Sequence, residues 1–179
     1  MTHFTKKIAY SLLSVVALSL TPQLAVAQKE GATKIDRQDQ IRTAMVFNFA
    51  RFADWPEKPT SGDLTLCLSR DADIAGPLLA LSGREVKGRR LNAVLLDNTP
   101  VSECDLAYLS SSDAASDKAL ELLLAGSLTI SSQRGFSDDG VIELVRIGRQ
   151  LRFSINNSNA KKASISLSSK LLRIAVEVK

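Results

Sequence analysis

Hydrophobic residues recur at helical spacing along residues 41–56 (IRTAMVFNFARFADWP). At about 100° per residue, one face collects Ile41, Met45, Phe49, Phe52 and Ala53. The opposite face carries Arg42, Thr43, Arg51 and Asp54. This pattern predicts an amphipathic helix with a wide buried face. Asp36 is placed to cap its start, and Pro56 is expected to end it, because the residue before a proline is pushed out of the α region.

Phe47 interrupts this pattern, since it lies among the polar positions of the predicted helix. Two interpretations remain open. Either a second apolar layer of the fold covers the ring, or the ring belongs to a surface that binds a partner.

Short apolar runs bounded by turn residues follow the helix and predict strands. Four such runs cover residues 64–68, 91–96, 105–109 and 127–131. Helical segments at residues 74–81 and 114–124 lie between them, and Asp113 is a candidate cap for the second. Buried strands that alternate with helices indicate a largely parallel sheet covered on both faces.

The pattern changes towards the end of the chain. Residues 141–147 and 151–155 flank Gly148-Arg149-Gln150, which predicts an antiparallel hairpin. Two closing helices are expected next, one around Ala160 and one over residues 167–178. The sequence therefore predicts a single α/β domain, with a mostly parallel sheet, helices on both faces, a C-terminal antiparallel hairpin and two closing helices.

The first 27 residues have the features of a cleavable signal peptide. Lys6 and Lys7 precede an apolar run over residues 8–20, and a small-residue site ends at Ala27. No later stretch approaches the roughly 18 apolar residues of a membrane span. We expect an exported protein with one domain over residues 28–179 and no membrane insertion after cleavage.

Charge and histidine content narrow the function further. The chain has 23 basic and 19 acidic residues, so loss of Lys6 and Lys7 leaves a small positive excess that does not argue for nucleic-acid binding. Its only histidine is His3, inside the expected signal peptide. The exported domain therefore lacks a Ser-His-Asp or Cys-His triad and His-bound zinc. We expect a protein that is not an enzyme, with no metal and no cofactor.

Three short motifs carry weak chemical signals. Ser158 and Lys161 match S-x-x-K without the partner motifs of penicillin-binding proteins. Gly83 and Gly88 have the spacing of a phosphate loop but precede a predicted strand. The cations around them, which are Arg84, Lys87, Arg89 and Arg90, can either hold an anion or form an exposed, charged strand edge, and the strand edge is the favoured interpretation. Two aspartate pairs, Asp71 with Asp73 and Asp138 with Asp139, lie in turn-like sequence, where aspartate is common.

Cys67 and Cys104 are the two cysteines of the chain. In an exported protein, an even count favours a disulfide, and two free buried thiols are the alternative. The two residues belong to nearby predicted strands and can pair if their Cα atoms lie within about 7 Å.

Several segments together resemble the YfiR family of periplasmic proteins (the DUF4154 group). They are FNFARFADWP, the two cysteines, SSQRGFSDDGVIELV, LRFSIN and SSKLLRIA. The resemblance covers residues 41–176. It implies an α/β fold, homodimers, a periplasmic location and a regulatory rather than catalytic role. Some members have a second disulfide, which this chain cannot form.

The resemblance also implies partners. The best-known members act as repressors that contact the periplasmic sensor domain of an inner-membrane diguanylate cyclase, YfiN, and so lower cyclic-di-GMP and biofilm formation, while the family is broad enough to include regulators of other membrane sensors. An outer-membrane lipoprotein, YfiB, can sequester the repressor. On this hypothesis the partner-binding residues are Phe47 and Arg51 on the first helix and Lys170 and Arg173 on the last.

A periplasmic small-ligand-binding module that serves another membrane sensor or transporter is the alternative function. The family-typical residues Phe136, Arg152 and Asn156 would then line a pocket at the sheet edge. Phe136 has a second interpretation, since it lies in an otherwise polar loop and can anchor that loop to the core. An enzyme that uses carboxylates alone is a third hypothesis, and it requires two buried acids in one pocket.

Overall fold

One eight-stranded sheet forms the centre of the computed structural model, which describes residues 36–59 and 61–179. The expected signal peptide lies outside these residues. The strands within them are β1 (Ala53–Asp54), β2 (Leu64–Leu68), β3 (Glu85–Val86), β4 (Arg89–Leu95), β5 (Leu106–Leu109), β6 (Leu128–Ser131), β7 (Ile142–Ile147), β8 (Gln150–Ile155), β9 (Ser166–Leu167) and β10 (Glu177–Val178). The α-helices within them are α1 (Arg37–Phe52), α2 (Ala75–Leu79), α3 (Ser111–Ala114), α4 (Asp117–Leu124), α5 (Phe136–Asp139), α6 (Asn157–Lys162) and α7 (Ser169–Ile174).

The strand order of the large sheet is β10-β8-β7-β6-β5-β2-β4-β3. Five neighbouring strands, from β4 through β2, β5 and β6 to β7, run parallel, while β3 and β8 pair antiparallel with β4 and β7. The chain enters this sheet in the middle, at β2, then moves out to β4, and returns to β5 on the other side of β2. This is the order of a doubly wound sheet, and it confirms the predicted α/β fold.

Alternating side chains of the central strands separate two hydrophobic cores. Leu66, Leu106 and Tyr108 belong to the larger core, together with residues of α1, α2, α6 and α7. Cys67 and Ala107 belong to the smaller core on the opposite face, which α3, α4 and α5 cover. Helices therefore lie on both faces of the sheet, as the sequence predicts.

Two hairpins connect the antiparallel strands through two-residue loops. The predicted hairpin is formed by β7 and β8, but its loop is Gly148–Arg149 alone, because Gln150 pairs with Ile147 at the start of β8. The loop between β3 and β4 is Lys87–Gly88, and both residues have positive φ, at 52° and 79°. Positive φ at both positions is the geometry of a type I′ turn. The glycine motif that resembled a phosphate loop is thus a hairpin at the sheet edge.

The first helix ends earlier than the sequence predicts. α1 stops at Phe52 because Ala53–Asp54 become extended and pair antiparallel with Ser166–Leu167. The prediction that Pro56 ends the helix is wrong. Asp36 does occupy the N-cap position, but its side chain makes no capping hydrogen bond.

Two other helical segments also differ from the prediction. The segment at residues 114–124 begins earlier and is divided into α3 and α4. Ser110 and Ser116 cap these helices by accepting hydrogen bonds from the Asp113 and Lys118 backbone N–H groups, so Asp113 is not the cap. The last helix is shorter than predicted, since Leu167 and Val178 lie in strands.

Cys67 and Cys104 form a disulfide with a Cα–Cα distance of 5.7 Å. Both residues are fully buried in the smaller core. The bond joins β2 to the residues that precede β5, and these two strands are neighbours in the parallel sheet. The predicted disulfide is confirmed.

We predict that replacing both cysteines (Cys67→Ala with Cys104→Ala) lowers the free energy of unfolding by about 4 kcal/mol. The bridged residues are 37 positions apart. Opening a loop of this length raises the entropy of the unfolded chain, which stabilises the unfolded state by about 4 kcal/mol. Urea unfolding of the oxidised wild type and the double variant measures the difference. A loss below about 1 kcal/mol would show that the bridge does not constrain the unfolded chain as argued.

Candidate functional site

A basic face, defined by six exposed cations on α1, α7 and the β7–β8 hairpin, includes three of the four predicted partner-binding residues. Its members are Arg51, Arg146, Arg149, Arg152, Lys170 and Arg173. None of the six forms a salt bridge within the described part of the chain. Positive charge that the fold leaves unpaired is available to an acidic partner.

Specific contacts join the three elements that carry the basic face. The Ser168 backbone N–H donates to the Phe52 carbonyl at 2.9 Å, which links the start of α7 to the end of α1. Arg152 Nη2 donates to the Ile174 carbonyl at 3.4 Å, and Arg146 bonds the Gln38 side chain. These contacts place α7 beside both α1 and the β7–β8 hairpin, with Ile174 exposed next to them. Within the hairpin, Arg146 and Arg152 lie on opposite faces, because Arg146 pairs with Leu151 and Arg152 pairs with Val145.

Phe47, the fourth predicted partner-binding residue, lies in a groove between α1 and α2. Its ring is half-buried and packs against the larger core. The Arg84 guanidinium stacks over it, 4.8 Å from the ring centroid, as in a cation–π contact. Pro77 and Leu81 line the same groove, which has a volume of about 290 Å³. The fold thus covers one side of the Phe47 ring and leaves the other open to the groove. A role of Phe47 in partner binding stays a prediction.

The three predicted ligand-binding residues occupy two different environments. Phe136 is buried in the smaller core, and a side chain at Gly140 would collide with its ring. The Asn156 amide donates to the Ser137 carbonyl at 2.9 Å, and its oxygen accepts from the Asn159 N–H. Phe136 and Asn156 are thus brought close together, whereas Arg152 is exposed beside α7. A pocket shared by all three stays a prediction.

A polar cluster that the sequence analysis did not identify lies at the carboxyl ends of β2, β5 and β6. Tyr108, on β5, bonds Asp73 and Ser132 at 3.0 Å each through its hydroxyl. Arg42 of α1 bonds both Asp73 and Asp39. A tyrosine in an otherwise apolar strand was the available signal, because a buried hydroxyl needs a partner.

Burial raises the pKa of Tyr108 to about 12, and the neighbouring Asp73 carboxylate acts in the same direction. The phenol therefore stays neutral at physiological pH and supplies a proton to its hydrogen bonds. Burial alone would lower the pKa of Arg42, but Asp73, Tyr108 and Asp39 together outweigh this effect and the pKa is raised. The cluster links Arg42 of α1 to the carboxyl ends of the central strands. It has the arrangement of a structural hydrogen-bond network.

The weak motifs of the sequence have structural explanations. Asp71 accepts a hydrogen bond from Ser112 at 2.8 Å, and this bond lowers its pKa. Asp138 forms a salt bridge with Lys179 at 2.6 Å. Ser158 lies in α6.

Across residues 36–59 and 61–179, no group of three or more His, Cys, Asp or Glu side chains is placed to hold a metal ion. No α-helix in those ranges has the length and hydropathy of a membrane span.

We predict that stability falls between about pH 10 and about pH 12 because Tyr108 ionises. Its pKa is raised in the folded state relative to the ordinary value near 10, so the contribution is complete below pH ~10 and is lost as pH rises through the folded pKa. The loss should be on the order of 2 kcal/mol. Urea unfolding at several pH values measures it, with Tyr108→Phe as the control. Equal pH dependence in the two proteins would contradict the assignment.

The fold of this chain is similar to that of a solved structure. It is a conserved domain protein from Vibrio cholerae O1 biovar El Tor, with a TM-score of 0.51 and 11% sequence identity. The match covers 76% of this chain and 60% of that one, so this chain spans less than two thirds of the Vibrio protein. At this identity the similarity concerns the fold alone. No curated protein matches the sequence.

The sequence matches the model of the YfiR/HmsC-like family over residues 39–176. These limits run from the first turn of α1 to the residue before β10, and so include α1, the disulfide, the hairpin and α7. The matched region is well over half of the chain. This is a family of periplasmic regulators. The chain belongs to the YfiR/HmsC-like family.

Proposed function

We propose that this protein is a periplasmic negative regulator. It binds the periplasmic sensor domain of an inner-membrane diguanylate cyclase of the YfiN type and represses cyclic-di-GMP synthesis. Family membership supports the regulatory role. The observation that carries the interaction is the basic face, where Arg51, Lys170 and Arg173 are exposed on adjoining elements and have no acidic partner in the part of the chain that the structure describes.

The face has the composition of a docking surface. Interfaces are enriched in arginine and in apolar residues at their centre. Ile174 is 56% exposed between the cations of α7 and β8, and Ile147 is 55% exposed at the tip of the hairpin. An acidic, partly apolar surface on the sensor domain is complementary to this combination.

Repression follows from linkage between binding and conformation. A regulator that binds the inactive state of its target more tightly than the active state shifts the population towards the inactive state. Inhibition therefore needs no chemistry from this chain. The same face is available to a YfiB-type outer-membrane lipoprotein, whose binding would compete with the cyclase and release it. We also propose a homodimer, by analogy with the family.

The test is inhibition of a membrane-reconstituted YfiN-type cyclase by the purified protein. We predict that Arg51→Glu weakens inhibition by roughly tenfold or more, since it places a negative charge against an acidic partner surface. Arg51 is exposed and forms no salt bridge with any residue of 36–59 or 61–179, so the fold should be unaffected. Rising salt should weaken inhibition by the wild type through screening. Unchanged inhibition by a folded Arg51→Glu protein would count against the basic face.

Phe47→Asp tests the neighbouring groove. We expect it to abolish inhibition, because the charged side chain cannot pack against an apolar partner group. Phe47 also contacts the core, so the variant must first show a native circular dichroism spectrum and a cooperative melt. Leu124→Asp is the matched control, since Leu124 is 72% exposed on α4 and lies on a different element. Equal loss of inhibition in both variants would point to a general effect of added charge.

A further inference from the structure

A cavity of about 210 Å³ lies beside the C-terminal end of α1 and the small sheet formed by β1 and β9. Ala50 and Ala53 form one wall, and the β3–β4 hairpin forms another. Its location differs from the Phe47 groove and from the region of Phe136, Arg152 and Asn156. The volume is below that of a pocket for a drug-sized molecule and fits a smaller metabolite.

Trp55 lines this cavity with an unsatisfied polar group. The residue is only 8% exposed. Among the described residues, its indole Nε1 is the buried side-chain nitrogen or oxygen that has no hydrogen-bond partner. Buried polar groups are almost always paired in folded proteins, and each exception calls for a ligand, a water or a functional explanation.

Two cations beside Trp55 also have donors to spare. Lys87 Nζ donates to the Ala53 carbonyl at 3.0 Å and to Asp54 Oδ1 at 2.5 Å, which leaves one of its three protons. Arg89 donates through Nε and Nη2 to the Gly62 and Asp63 carbonyls and to Asp105. Arg89 Nη1 makes no hydrogen bond to any described residue, although the side chain is only 16% exposed.

The Lys87 and Arg89 cations line the cavity, and Trp55, with its unsatisfied indole nitrogen, belongs to the same wall. The Ala53 carbonyl and Asp54 Oδ1 already accept from Lys87, and the Asp54 side chain is 64% exposed to solvent. A ligand that supplies acceptor oxygens and a negative charge would satisfy the remaining donors of Lys87 and Arg89. The remaining walls are apolar, formed by Pro59, Leu64 and Val86 among others.

We propose that this cavity binds a small carboxylic acid with an apolar body. The carboxylate lies towards Lys87 and Arg89, and the apolar body packs against Leu64, Val86 and the Trp55 ring. The bound acid would rest against the last turn of α1, which carries Arg51. The inference does not depend on the proposed cyclase partner, because binding can be measured on the purified protein alone.

The chain offers a direct probe, since Trp55 is its only tryptophan. We predict that benzoate changes the intrinsic fluorescence of the purified protein in a saturable titration, with a Kd on the order of 1 mM. Benzyl alcohol has the same ring without the charge and should bind at least about tenfold more weakly. Absence of a saturable signal, or equal affinity for the two probes, would overturn the proposal.

Variants locate the binding site. Lys87→Gln removes one cation and should weaken benzoate binding by roughly tenfold, whereas Lys118→Gln on α4, outside the cavity, should leave it unchanged. Trp55→Phe removes the indole N–H but keeps an aromatic ring, so it should reduce the rise in melting temperature that benzoate causes in the wild type. Wild-type affinity in Lys87→Gln, or an undiminished melting shift in Trp55→Phe, would place benzoate elsewhere and refute the assignment.

Discussion

The burial of the central strands on both faces is the constraint on which the rest of the fold depends. β5 and β6 have no exposed residue, and β2 has one intermediate position. Both faces of these strands must therefore be covered by apolar layers. On one face α1, α2, α6 and α7 provide a large core. On the other face the layer is thinner, and the disulfide contributes to it where fewer large side chains are available.

The position of α1 follows from this arrangement and determines which surfaces are free. Phe49 packs edge-to-face on Phe153 of β8, with ring centroids 5.0 Å apart. Arg42 ties the first half of the helix to the polar cluster around Tyr108, and the β1–β9 pair fixes the chain just after its last turn. A helix held at three places presents its remaining side as a rigid surface. Arg51 and the open side of Phe47 lie on that surface, which is the property that a docking site needs.

Local sequence patterns predicted the elements that depend on local composition. The main sheet could be predicted from such patterns. They include the apolar runs of β2 and β6, the glycine turn of the β7–β8 hairpin and the positions of the two cysteines on nearby strands. The early end of α1 was not predictable in this way, because Ala53 becomes extended by pairing with Leu167, more than a hundred residues away. Exposed cations were recognisable on α7. The cavity at Trp55 could not be predicted, because one of its walls is a hairpin whose strand β3 is only two residues long.

The complete burial of Cys67 and Cys104 has a consequence for how the protein must be made. An oxidant cannot reach either sulfur once β5 has docked beside β2 and the smaller core has closed. Bond formation therefore has to come before, or together with, the closing of that core. A chain that folds in a reducing compartment would enclose two thiols, and later transfer to an oxidising buffer would convert them only through unfolding. The thiol content of a purified sample would then record the compartment in which its chains folded.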